Sequence, residues 1–207
     1  MLLHIARFEL RYQLRSPVFW VTSVLFFLMA FGAAASDNIR IGGEGGNVLV
    51  NAPYAIARTL LVMSVFAVFI VTAFVANVVV RDDESRFGPL VHSTRVRKHE
   101  YLLGRFAGAF LVGLLAFGSV PLGNLLGAAM PWVDPETVGP VHLSHYLKAW
   151  LLLCGPTLFV LSAGFFALAT ATRSMMATYV GVVAFLVLYF VAQGLLGRPE
   201  FIEVMAL

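Results

Sequence analysis

Residues 81–105 read RDDESRFGPLVHSTRVRKHEYLLGR, and they hold six of the fourteen Lys and Arg residues. On either side the chain is apolar: residues 58–80 and 106–130 contain no acid and, apart from Arg58 at the edge, no Lys or Arg. A charged peninsula between two apolar blocks long enough to cross a bilayer predicts a membrane protein with an aqueous segment between two spans. Such a segment is a natural docking surface for a water-soluble partner. Gly88-Pro89 interrupts it, because proline disfavours helix at the residue before it.

Composition agrees. The 207 residues are 60% hydrophobic and 12% charged, with a mean hydropathy of +0.88. Soluble domains run at about 45–50% apolar and about 25% charged. The net charge of +3 and pI near 9.3 come from basic residues that cluster beside apolar runs, so orientation in a bilayer accounts for them better than nucleic acid does. The single cysteine, Cys154, lies inside an apolar run and reads as a small buried hydrophobe, which excludes an intrachain disulfide framework.

Outward from the peninsula, the pattern predicts an all-α polytopic bundle of about five transmembrane helices behind an N-terminal interfacial helix. Residues 1–16, MLLHIARFELRYQLRS, are amphipathic: at about 100° per residue His4, Arg7, Arg11 and Arg15 form one ridge, with Ile5, Phe8 and Tyr12 beside it. This segment is either an interfacial helix with its arginines toward anionic headgroups or the charged flank of the first span. Ser16-Pro17 opens a helix as N-cap and N1. The expected spans are 17–36, 58–80, 101–130, 146–171 and 175–197, within a transmembrane region 17–197 that is followed by a tail, 198–207. A cleaved signal peptide competes for residues 1–35, since Ala33-x-Ala35 follows a basic start and an apolar run. Glu9 and the length of that run favour a retained span.

Small residues four apart, Gly104 with Gly108 and Gly123 with Gly127, predict close helix packing in the third span. Pro121 and Asn124 predict a kink and a polar point facing the bundle. Trp132 suits an interface. Basic residues number ten on the side of the N-terminus, the peninsula and Arg173, against four on the other, which predicts a cytoplasmic N-terminus.

Catalytic and metal chemistry find no support. IGGEGGN at 41–47 is a loop and no phosphate cradle, because neither Lys98 nor Lys148 follows glycine. His99-Glu100 begins a zinc-protease motif, but Leu103 stands at the second ligand position. Glu136, His142 and His145 have weak metal-site spacing and read as loop residues. All eleven Asp and Glu fall in loops or flanks, which argues against a proton relay within the spans. No catalytic residue, metal ligand or cofactor is expected.

The segment ESRFGPLVHSTRVRKHEYLLGRF, behind an amphipathic helix and two spans, resembles permease subunits of type-2 ABC transporters. The matching positions are Glu84, Gly88, Leu90, Ser93, Thr94, Val96, Lys98, Tyr101, Gly104 and Arg105. RFELRYQLRSP, FIVTAFVANVVVRD, PLGNLLG and FALATATRSMMATYVGVVAFLVLYFVA look more narrowly like bacterial permeases whose chain continues into a zinc aminopeptidase-like region. Two departures stand out: Arg95 replaces a common proline after Ser-Thr, and five spans are counted where the family has six. The resemblance therefore implies an N-terminal portion of a longer permease, without peptidase activity of its own.

The resemblance further implies a coupling segment, 81–100, that docks on a separate ATPase in trans. Leu90, Val91 and Val96 would serve there as apolar anchors and Glu84, Arg86 and Arg97 as a charged rim, with Phe87, Gly88 and Thr94 between them. It implies a second permease subunit, residence in the bacterial inner membrane, and export of a substrate. The scattered Thr, Asn and Gln of the spans are compatible with a hydrophobic cargo. The alternative from a different class is a membrane scaffold or anchor that uses no ATP.

Overall fold

The computed structural model describes residues 1–36, 49–84 and 97–196, and all regular structure among them is helical. Helix α1 spans Leu2–Leu14. Ser16 then caps α2 (Pro17–Ala35), its hydroxyl accepting the Val18 N–H at 3.3 Å, while Pro17 sits in the first turn, where a missing N–H costs nothing. Helix α3 runs Pro53–Glu84, α4 Lys98–Phe117 and α5 Ser119–Ala128. Helix α6 (Leu143–Lys148) passes through a π-helical turn, Ala149–Cys154, into α7 (Gly155–Thr172), and α8 covers Met175–Leu196.

Five helical stretches are long and apolar enough to cross a membrane: Pro17–Ala35, Pro53–Arg81, His99–Ala128, Leu143–Thr172 and Met175–Leu195. The all-helical, five-span expectation holds.

The third and fourth of these stretches are irregular, and proline explains both. Pro121 has no N–H, and its ring crowds the carbonyl four residues back, at Phe117, where α4 ends. Pro156 has the same effect on Leu152, inside the π turn. The two irregularities pack on each other. Trp150 lies against Gly118, where a Cβ would come within 3.1 Å of the ring, and its indole N–H donates to the Leu114 carbonyl at 3.3 Å.

Helix α3 is the central element. Ile56, Leu60, Met63, Ala67, Val71, Val75 and Val78 recur every three or four residues and are buried against Phe26 and Ala30 of α2, Phe106 and Ala109 of α4, Phe117, and Leu158 of α7. The outward faces of α2, α7 and α8 remain apolar, with Val21, Val160 and Leu188 each about two-thirds exposed. An apolar surface of this extent suits lipid or a partner helix, not water.

The loops at the far end from α1 are tied together. Asn51, buried, exchanges two hydrogen bonds with the Gly139 backbone, accepting from its N–H at 2.7 Å, and the Val50 N–H donates to Thr137 O at 2.9 Å. Trp132 donates its indole N–H to the Ala35 carbonyl at 3.1 Å. Between α7 and α8 the turn is only two residues. Arg173 adopts the left-handed conformation (φ 51°) and closes α7 through its N–H to Ala169 O, and Ser174 Oγ accepts the Ala177 N–H.

Candidate functional site

The helical wheel puts Glu9 on the side of α1 opposite the Arg7–Arg11–Arg15 ridge, and that geometry decides how α1 packs. Its inner face is laid on α4 over the two glycines of the small-residue pair. A Cβ on Gly104 would come within 2.9 Å of Leu2 O and 3.0 Å of Ile5 Cβ. One on Gly108 would come within 2.8 Å of Ala6 O and 2.7 Å of Glu9 Cβ. Only glycine lets the two backbones approach this far.

That approach drops Glu9 into the protein. Expected among the flanking acids, it is instead fully buried, in a cluster of side chains drawn from three helices. Arg81, near the end of α3, places Nη2 2.8 Å from Glu9 Oε2 and 3.1 Å from Oε1. Arg105, one turn into α4 from Tyr101, pairs with Glu9 through Nη1. Gln13, one turn along α1, donates to Glu9 Oε1 at 2.7 Å and to the Phe74 carbonyl at 3.4 Å.

Aromatic rings complete the cluster. The Arg81 guanidinium lies 4.2 Å from the Tyr12 ring centroid, and Arg105 donates to the Tyr101 hydroxyl from Nε at 3.1 Å and Nη2 at 2.9 Å. A carboxylate taken wholly out of water is stable only when paired and hydrogen-bonded, and Glu9 meets both conditions. Arginine suits the place, since its planar fork can serve a carboxylate and a neighbouring hydroxyl together.

The position of this cluster gives it functional weight. Arg81 and Arg105 stand at the two ends of the hydrophilic peninsula, so a single carboxylate on α1 holds both roots of that segment. Glu84 is the last residue of α3, and Arg97 is exposed immediately before α4. Arg86, Phe87, Gly88, Leu90, Val91, Thr94 and Val96 lie outside the described residues. Gly123 and Gly127 belong to a separate contact with α2. A Cβ on Gly127 would come within 2.7 Å of Phe31 O and 2.8 Å of Ala34 Cβ, and one on Gly123 would meet the Phe27 carbonyl.

Sequence reasoning missed Glu9, Gln13 and Tyr12 as site residues. The available signal was that Glu9 is the only acid among the first 36 residues and stands opposite the basic ridge. The His142 and His145 rings stack edge-on at 5.1 Å, but no group of three metal-ligating side chains occurs among the described residues. Asn124 is buried beside α2, with no partner for its Oδ1 among the described residues.

A family model described as ABC-2 family transporter protein matches residues 3–203. Comparison with curated proteins and with solved structures returned no match.

Proposed function

The chain belongs to the ABC-2 family of transporter membrane proteins, and from that footing we propose that it is a permease subunit through which a separate ATPase drives export across the bacterial inner membrane. The observation that carries this reading is the Glu9–Arg81–Arg105 cluster, which fastens α1 to both roots of the hydrophilic segment. In the proposed cycle the ATPase receives residues 84–97 in its cleft, with Leu90, Val91 and Val96 as apolar anchors and Glu84, Arg86 and Arg97 around them.

Closure of the ATPase on nucleotide then displaces this segment, and α3 and α4 tilt with it. Because α1 is bound to both helices through Glu9, it travels as part of the same unit. The excess of basic residues on the side of α1 supports placing this junction in the cytoplasm. A second permease subunit would complete the pathway, meeting this one through the apolar faces that α2, α7 or α8 leave outward.

The test is co-purification of the nucleotide-binding subunit with the full chain. Leu90→Asp together with Val91→Asp is expected to abolish it while the chain stays in the membrane. Undiminished co-purification would overturn the docking reading.

A further inference from the structure

A second feature adjoins the Glu9 cluster and shares Tyr12 and Gln13 with it. Between α1, the first turn of α2, the peninsula-side half of α3 and the start of α8 there is a crevice of about 610 Å³. Arg11 and Arg15 stand in its wall, and among the described residues no acidic side chain does. Glu9, the acid of the same helix, is turned away and already paired with Arg81 and Arg105, so it does not neutralise them. The remaining surface is largely apolar, with Phe8, Tyr12, Phe74 and Met175 among the lining side chains.

Two chemistries therefore meet in one cavity. The cationic part lies where α1 ends and the first span begins at Pro17, and the apolar part faces the spans. A soluble anion would satisfy the arginines and leave the apolar wall bare, whereas an acyl chain alone would ignore the charge. The volume lies in the range of small-molecule sites, about 300–1,000 Å³, enough for a headgroup and the upper part of a chain.

We propose that this crevice binds one anionic phospholipid of the adjacent leaflet, its phosphate at Arg11 and Arg15 and a chain along Phe8, Phe74 and Met175. Gln13 lines the same crevice and donates to Glu9, so an occupied site is one hydrogen bond from the cluster that holds α1 in place. The inference rests on the membrane-spanning architecture alone; it requires neither ATPase docking nor transport.

The test places the full chain in phosphatidylcholine bilayers with spin-labelled phosphatidylglycerol or spin-labelled phosphatidylcholine and reads the motionally restricted fraction of each. The wild-type chain is expected to prefer phosphatidylglycerol. Arg11→Gln and Arg15→Gln should each lower that preference, by about five-fold per arginine. Arg7→Gln removes the same charge from the same helix outside the crevice and should leave most of the preference intact. Ala73→Phe fills the crevice without changing charge and should also reduce phosphatidylglycerol binding.

Equal losses for Arg7→Gln and Arg11→Gln would mean diffuse surface attraction and would overturn the site. A preference untouched by both Ala73→Phe and the double arginine variant would mean that protein, a second copy or another segment, fills the crevice, and would overturn it as well. No ATPase is present in this assay, so failure of the docking reading leaves its outcome unchanged.

Discussion

At the residue scale, Glu9 is the position on which the junction of α1, α3 and α4 depends. Removing one partner of a buried ion pair leaves the others desolvated without compensation, a cost of about 3–5 kcal/mol. Glu9→Gln keeps the shape and the hydrogen bond to Gln13 within reach, yet strands two arginine side chains, one of them only 9% exposed. We expect it to destabilise the purified chain by roughly 3 kcal/mol in detergent unfolding. Replacement of Arg7, exposed on the opposite ridge, should change stability by less than about 0.5 kcal/mol. A double-mutant cycle between Glu9 and Arg105 should give a coupling above about 1 kcal/mol, and additive effects would mean that the pair contributes nothing.

At the element scale, α1 is held by backbone proximity as much as by charge. Gly108→Leu would drive a side chain into Ala6 O and Glu9 Cβ, and neither can withdraw unless α1 lifts. The expected outcome is faster modification of a cysteine at position 6 by a water-soluble maleimide. Gly164→Leu, where nothing lies within 4 Å of an added Cβ, should leave the rate unchanged.

Much of this was readable from sequence, and the boundary has a physical cause. Span number and helix class follow from the length of apolar runs, a property of contiguous residues. The breaks near Gly118 and Cys154 follow from Pro121 and Pro156, although the sequence reading weighed only the first. The spacing of Gly104 and Gly108 indicates where a helix can come close without saying which one does. Burial of Glu9 depends on partners 72 and 96 residues away, and no local pattern in α1 encodes that meeting.

At the scale of the whole molecule, the chain divides into an inner pair of helices and an outer set. Helices α3 and α4 carry most of the buried surface and flank the hydrophilic segment, while α2, α7 and α8 present apolar side chains outward. The end far from α1 is tied by Asn51 and Gly139, the end beside α1 by Glu9 with Arg81 and Arg105. A push on the segment between α3 and α4 would therefore be delivered at the end clamped by Glu9 and pivot about the end tied by Asn51. Asn51→Ala, which removes both bonds to Gly139, should raise amide exchange in residues 49–52 and 137–140 without altering α1.

The most direct test of the central claim is amide hydrogen exchange on the chain in complex with its ATPase, with and without a non-hydrolysable nucleotide. If α1 moves as one unit with the roots of the hydrophilic segment, nucleotide will change exchange in residues 2–14 together with residues around 81 and 105. Glu9→Gln will then abolish the response of α1 while leaving that of the hydrophilic segment. A response confined to the hydrophilic segment in the wild-type chain, with α1 unchanged, would contradict the account.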